Sequence, residues 1–457
     1  MTALISIAIT SLLSLGSEML GLRKLAVWVV LLGLLASAVL AGTDWGMGAG
    51  YFSNMLVLDN TAVVFNVCLI SLTAVFVLLS RRFFDTYEIH RPEAYALLLF
   101  SLAGAVSLAS YGNLVMLFLG VEMMSIPMYV MAGSDKRNLY SHEASLKYFI
   151  MGAFASGFLL FGIALLYGAS GTFDLNDLAN YTQQTPQLPL LFDAGIMLVI
   201  VAMLFKISAF PMHFWAPDVY DGSPTIVTMF MTTVVKAAAF VGFMRLFHTA
   251  LLPALPHFGG LLAVIAALTM CVGNLSAVFQ TSIKRVLAYS GIAHAGYLMM
   301  ALISVSPAAN SAVLFYGVAY CLASLTAFSV LLVLYYATDR EDGSLYNGLA
   351  RRDPMLAFAA TIALLSLAGI PPTAGFFGKY FLFTQTIETY PWLTVVAVVN
   401  SLISVFYYFR LIVNMYARKP ETDAPLTISF SYRFIILLAV AATLILGLFP
   451  DLLAHLL

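Results

Sequence analysis

Charge is what this chain has least of: Asp, Glu, Lys and Arg make up 9% of its 457 residues, and the formal net charge is −1. A balance this close to neutral excludes the basic footprint of a nucleic-acid-binding protein. Cysteine is scarce too. Cys68, Cys271 and Cys321 stand far apart inside apolar runs, offer neither metal spacing nor a disulfide framework, and read as small core residues. No glycine-rich phosphate loop or dinucleotide fingerprint occurs in adequate context. Of seven histidines only His213 and His294 fall in or near apolar runs, on separate spans without a haem-ligand pair. What is abundant is apolar: 62% of the residues are hydrophobic and the mean hydropathy is +0.96. A soluble chain cannot bury so much apolar surface, and the recurring runs of about 20 residues match a bilayer-spanning helix. The expected fold class is an all-α polytopic membrane protein, with the lipid bilayer as its surroundings. The run from Thr2 to Leu22 has Glu18 near its end and lacks a basic start and a small-residue cleavage site, so it reads as a retained first span.

Fourteen spans are predicted, at 2–22, 24–41, 58–80, 93–110, 112–133, 144–168, 190–215, 224–247, 259–278, 286–304, 311–337, 354–385, 392–416 and 433–454. Lys and Arg in short loops collect on the cytoplasmic side. After odd-numbered spans the chain carries Arg23 and Lys24; Arg81, Arg82 and Arg91; Lys136 and Arg137; Lys284 and Arg285; Arg340, Arg351 and Arg352; Arg418 and Lys419. After even-numbered spans only Arg245, at a helix end, is available. One missed or extra span would break that asymmetry, so it supports the count and puts both termini on the non-cytoplasmic side. The basic-free odd loop, 216–223, carries Asp218 and Asp221 instead.

Two spans are interrupted. The seventh holds Pro211, and the twelfth holds Pro371 and Pro372 within Ala368-Gly369-Ile370-Pro371-Pro372-Thr373-Ala374-Gly375. An interior proline removes a helical hydrogen bond, and at membrane depth such a break persists only where protein or water satisfies the freed carbonyls. Paired breaks in two halves point to a transporter built from repeats. Spans 4–8 and 9–13 form two sets of five, with Pro211 118 residues after Glu93 and Pro371 112 after Gly259. Because five is odd, the second set enters from the opposite side and the repeats are predicted to be inverted. The organisation expected is a single membrane domain over 1–457, divided into three N-terminal spans (1–92), a first repeat (93–250), a second repeat (259–418) and a C-terminal span (432–457).

Glu122, Lys206, Lys236 and Lys379 sit inside these apolar runs. Four charges at bilayer depth cost about 12 kcal/mol even on the lenient insertion scale, so they must face protein or water, and such residues are proton-path candidates. By helical rise Lys206 and Lys236 each stand roughly 18 Å from the loop near Asp218 to Pro224, close to the midplane. Desolvation favours the neutral form of a lysine and a nearby carboxylate its charged form, so movement of Glu122 could switch a lysine's charge. His294, also central, could relay a proton or be an ordinary hydrogen-bonded core histidine. Lys147 and Arg410 lie nearer the cytoplasmic edge, where snorkelling is as good an account as function. Methionines and aromatics read as core and lipid-facing residues, with Tyr51 and Trp392 at interfacial ends.

At these residues the chain resembles the antiporter-like proton-pumping subunits of respiratory complex I, over nearly its whole length. Phe118-Leu119-Gly120-Val121-Glu122 is similar to that family's fifth-span glutamate motif, and Glu143-Ala144-Ser145-Leu146-Lys147-Tyr148 to the start of its sixth span. Lys206 with Pro211-Met212-His213-Phe214-Trp215-Ala216-Pro217-Asp218 resembles its broken seventh span, and Ile283-Lys284-Arg285-Val286-Leu287-Ala288-Tyr289-Ser290 through His294 and Tyr297 its tenth. Pro217-Asp218-Val219-Tyr220-Asp221-Gly222-Ser223-Pro224 and Gly378-Lys379 resemble the one of three paralogous branches that carries lysine in the twelfth span and no lateral helix. Gly291 departs from the pattern, since a second serine is common there. The resemblance implies proton translocation driven by NADH oxidation and quinone reduction in other subunits. It also implies neighbouring membrane subunits as partners, and no cofactor in this chain, the FMN and iron-sulfur clusters lying elsewhere. A bacterial inner membrane is the expected location. Two other classes stay open: a subunit of a multisubunit sodium/proton antiporter, and a structural membrane scaffold without a proton path.

Overall fold

The computed structural model describes residues 1–86, 89–185, 187–304, 306, 308–338, 342–420, 426, 428–454 and 456. Arg340, counted above among the basic loop residues, lies outside them. Twelve helices among the described residues are long and apolar enough to cross a bilayer. They fall on every predicted span except the tenth and the twelfth. The tenth lies on Ile283–Leu302, whose first turn carries Lys284 and Arg285. The twelfth is divided into Pro354–Ala368 and Ala374–Thr386. The count of fourteen is therefore not reached on length and apolarity alone.

The chain forms two compact units: Met1–Ser208 with Met212–Trp215 and Gly222–Gly260, and Ala209–Pro211 with Ala216–Asp221 and Leu261–Leu457. The first contains α1 (Thr2–Met19), α2 (Ala26–Thr43), a small hairpin of Ala49–Tyr51 and Leu56–Leu58, α3 (Asn60–Thr86), α4 (Arg91–Ser110), α5 (Leu114–Ala132), α6 (Leu139–Ser170), α7 (Leu175–Gln184) and α8 (Leu190–Ile207). After α9 (Trp215–Gly222) comes α10 (Thr225–Ala250). Neither the hairpin nor α7 was expected; α7 is ten residues and mostly polar, started by Asp174, whose carboxylate accepts from the Asn176 and Asp177 amides. Helix α4 is buried nearly all round and packs against α1, α3, α5 and α10. A helix that is apolar on every side belongs in a core. Helices α6 and α8 approach closely at Gly162 and Gly195, where a methyl on residue 162 would stand 2.8 Å from the Gly195 carbonyl oxygen.

The second unit takes in the greater part of α11 (Leu255–Val278), then α12 (Ile283–Leu302), α13 (Ala309–Thr338), α14 (Pro354–Ala368), α15 (Ala374–Thr386), α16 (Pro391–Ala417) and α17 (Phe430–Leu448). Its central element is α13, packed against α12, α14, α15 and α17. Helix starts follow local chemistry: Ser282 caps α12, Asp353 caps α14 through the Leu356 amide at 3.0 Å, and Pro354 and Pro391 sit in first turns, where a missing N–H costs nothing. Leu12, Trp28, Leu32, Phe154, Phe161, Leu402 and Phe406 are exposed, a spread of large apolar side chains that lipid would cover.

Candidate functional site

Helix α8 ends one residue after Lys206. Ser208 takes a left-handed conformation (φ 60°) and its amide closes onto the Leu204 and Phe205 carbonyls. Pro211 follows, a residue with no N–H to continue a helix. The Phe205 carbonyl receives the Trp215 indole N–H at 2.9 Å, so the break leaves it satisfied. Beyond it, residues 215–222 form α9 rather than the predicted loop 216–223. Asp218 and Asp221 lie on that helix and hold Arg285 at 2.5 and 3.5 Å, and Asp221 also accepts from Ser282 at 2.8 Å. The depth of roughly 18 Å assigned to Lys206 assumed unbroken helix from the loop. The end of α8 at Ile207 removes that basis.

Lys206 is 7% exposed. Its ammonium donates to Ser125 Oγ at 3.0 Å and to the Tyr129 hydroxyl at 3.1 Å, both on α5. The rings of Phe205 and Tyr129 stand 5.5 and 5.7 Å from the nitrogen. Glu122 begins this α5 face, and its carboxylate accepts from Ser156 on α6. Among the described residues no ion pair joins Glu122 to Lys206. The two side chains have separate hydroxyl partners, Ser156 for Glu122 and Ser125 and Tyr129 for Lys206. Pro127, between Ser125 and Tyr129, removes a helical hydrogen bond from α5. Tyr129 packs edge-on against Tyr148 at 4.7 Å, and Tyr148 stacks on Trp215 at 4.6 Å, tying the site to the end of the break.

Lys236 is 2% exposed and follows a π-helical segment, Met231–Val235, inside α10. The Thr232 and Thr233 hydroxyls in that segment donate to the Met229 carbonyl at 3.0 and 2.7 Å. Arg245, at the end of an α-helical stretch as its place in the sequence predicts, is also a buried clamp. It reaches Asp59 at 2.8 Å and the carbonyls of Tyr111, Ala109 and Val57 at 2.6, 3.2 and 3.4 Å. Lys147 differs from the buried group: its side chain is 41% exposed and pairs with Glu143, one turn earlier, at 2.7 Å.

In the second unit the break between α14 and α15 is closed by Gly369 in a left-handed conformation (φ 85°), with Pro371 and Pro372 in the connection. Glycine adopts that backbone without a Cβ penalty. Lys379, 3% exposed, turns back from α15 to the carbonyl of Ala368, the last residue of α14, at 2.8 Å. It also donates to Ser401 at 2.9 Å, and the Tyr297 ring lies 4.8 Å from its nitrogen. The ammonium thus sits at the negative end of a half-helix. His294, 4% exposed, has Tyr316 at Nδ1 (2.5 Å) and Tyr408 at Nε2 (3.3 Å). Arg410 caps the end of α11, donating to the Val278 and Gln280 carbonyls at 3.1 and 2.8 Å.

Ser125, Tyr129, Tyr316, Tyr408, Ser401 and Tyr297 were not singled out by sequence as partners of these charges. A signal was there. Glu122, Ser125 and Tyr129 are spaced i, i+3, i+7, and Ser290, His294 and Tyr297 i, i+4, i+7, each a polar stripe on one face of an apolar helix. Each lysine at a break can carry a proton when charged and accept one when neutral, Lys206 beside two hydroxyls and Lys379 beside one hydroxyl and a carbonyl.

Residues 111–404 match the family described as NADH:quinone oxidoreductase/Mrp antiporter, TM. The NADH-quinone oxidoreductase subunit N of Flavobacterium johnsoniae is 40% identical over 468 aligned residues, covering 100% of both chains. That of Cytophaga hutchinsonii is 40% identical, covering 99% of this chain and 98% of the relative. Among solved structures, a chain of respiratory complex I from Thermus thermophilus with bound aureothin superposes with a TM-score of 0.84 at 33% identity, over 99% of this chain and 98% of that one. A chain of the Mrp complex from Dietzia sp. superposes with a TM-score of 0.88 at 22% identity, over 99% and 95%, and shares the fold. On these matches the chain belongs to the antiporter-like membrane-subunit family of NADH:quinone oxidoreductase and the Mrp antiporters, among its subunit N members.

Proposed function

We propose that this chain is a proton-translocating membrane subunit of a respiratory NADH:quinone oxidoreductase, moving protons through Glu122, Lys206, Lys236, His294 and Lys379 while the redox chemistry proceeds in other subunits. The observation that carries the reading is the setting of the two break lysines. Lys206 and Lys379 are buried, each beside an interrupted helix, and each held by hydroxyls or a carbonyl without a directly paired carboxylate. A structural ion pair would hold its lysine permanently charged against a carboxylate. Hydroxyl and carbonyl partners hold the nitrogen in place while leaving its charge free to change, which is what a proton store requires.

A proton arriving at one lysine raises the cost of charge on the next, so the proton there moves on. Glu122, one turn before Ser125 on α5 and bonded to Ser156, supplies the carboxylate whose displacement changes that balance. In this reading the chain binds no flavin, iron-sulfur cluster, NADH or quinone, and its partners are the other membrane subunits of the complex. It lies in a bacterial inner membrane with both termini on the non-cytoplasmic side. The names of its full-length relatives support the oxidoreductase over the sodium/proton antiporter, whose likeness at 22% identity is one of fold. The test is proton release per NADH oxidised by the whole complex in sealed vesicles, with Lys206→Ala or Glu122→Gln. A fall in the ratio in assembled complex supports the reading, and a normal ratio for both removes it.

A further inference from the structure

His294 is gripped on both ring nitrogens by phenols from two other helices. Tyr316 on α13 stands 2.5 Å from Nδ1, and Tyr408 on α16 stands 3.3 Å from Nε2. Tyr408 also bonds Ser290, one turn before His294 on α12. All four are buried. Tyr408 is itself pinned: the Tyr407 ring packs 4.4 Å away, the Tyr407 hydroxyl donates to Asn274 at 3.0 Å, and Asn274 donates to Asn400 at 3.2 Å. The Tyr320 ring, 4.9 Å from the imidazole, forms another wall.

A neutral imidazole has one N–H and one bare nitrogen, whereas a hydroxyl both donates and accepts. With a phenol at each nitrogen the ring is satisfied in either tautomer. In one arrangement Tyr316 donates to Nδ1, Nε2–H donates to Tyr408, and Tyr408 donates to Ser290. In the other every bond runs the opposite way. A histidine kept for packing needs one of these arrangements, and a single fixed carbonyl partner would supply it.

We infer that Tyr316 and Tyr408 are positioning residues for His294, and that Ser290, Tyr408, His294 and Tyr316 form a hydrogen-bond wire whose direction reverses. The inference rests on the proton-path reading of His294. A water-borne proton enters at the Tyr316 oxygen as the Tyr316 proton passes to Nδ1. The Nε2 proton passes to Tyr408, the Tyr408 proton to Ser290, and the Ser290 proton leaves to water. Each group ends neutral, with the imidazole proton moved from Nε2 to Nδ1. The wire resets when the hydroxyls rotate and water takes the Nδ1 proton and returns one to Nε2, since return along the wire itself would cancel the transfer.

The test uses whole complex in sealed vesicles, read as protons released per NADH and normalised to assembled complex. Tyr408→Phe and Tyr316→Phe each remove one hydroxyl and keep the ring. Each is expected to lower the ratio roughly threefold to tenfold, the effect of one lost hydrogen bond on an equilibrium. Placing 3-fluorotyrosine at position 408 restores the hydroxyl and should restore the ratio, which a packing defect would not predict. In a His294→Gln background Tyr408→Phe should add no further loss. If Tyr408→Phe does not assemble, Tyr316→Phe carries the same comparison. Normal ratios in both phenylalanine variants beside a defective His294→Gln would overturn the wire and leave the proton path standing, as would additive losses. A normal ratio in His294→Gln would take His294 out of the path and overturn both.

Discussion

Gly152 and Tyr129 are fitted to each other: a methyl carbon on residue 152 would stand 2.1 Å from the Tyr129 hydroxyl and 2.6 Å from the ring carbon that bears it. That hydroxyl holds the Lys206 ammonium. The bare backbone of α6 at this point thus lets the phenol of α5 reach the end of α8. Gly152→Ala should displace Tyr129 and cost about 1–3 kcal/mol of stability, the usual penalty for overfilling a packed site. Proton release per NADH should fall with it, because Lys206 loses a partner. Tyr129→Phe, which keeps the ring, should lower the ratio with a smaller change in thermal stability. Equal pumping in both variants and the parent would separate Tyr129 from the lysine's function.

Arg245 and Asp59 make an asymmetric pair, with side chains 9% and 43% exposed. Replacing Arg245 by Met abandons three backbone carbonyls as well as the carboxylate and should cost about 3 kcal/mol, visible as reduced assembly of the complex. Asp59→Asn leaves a half-exposed amide and should cost about 1 kcal/mol or less. Complex that does assemble should pump at the normal ratio in both cases. A loss of pumping without loss of assembly would move Arg245 from scaffold to path.

Lys379→Met removes a charge and keeps the volume. It should lower proton release while the complex still assembles, since Ser401 remains to donate to the Ala368 carbonyl at 3.2 Å. Proton release and quinone reduction are to be measured together. Normal values of both would leave Lys379 a cap on the end of α14.

Both termini are expected to face the non-cytoplasmic side, from the basic residues that follow odd-numbered spans. A single cysteine placed near Thr2 should react with an impermeant reagent from that side. Labelling from the cytoplasm alone would invert the orientation.

The long apolar runs made the helices readable, and the rarity of charge inside them made Glu122, Lys206, Lys236 and Lys379 stand out. Each falls on a helix, and the three lysines are buried. The partners were harder to read, because a chain with 23 tyrosines and 34 phenylalanines gives no one-dimensional mark to the phenol that meets a lysine 77 residues away. Arg245 stands at the end of an α-helical stretch as expected, but its partner Asp59 is 186 residues distant, and only the fold brings them together. Residues 216–223 looked like a loop after a long span. The proline at 211 ended the span early, and the chain beyond it formed a helix of its own.

The most direct measurement is proton release per NADH by whole complex carrying Lys206→Ala, in sealed vesicles and normalised to the amount assembled. A buried charge with a transfer role cannot be replaced by a methyl without loss, so the ratio should fall while NADH oxidation by assembled complex persists. An unchanged ratio would contradict a proton path through Lys206.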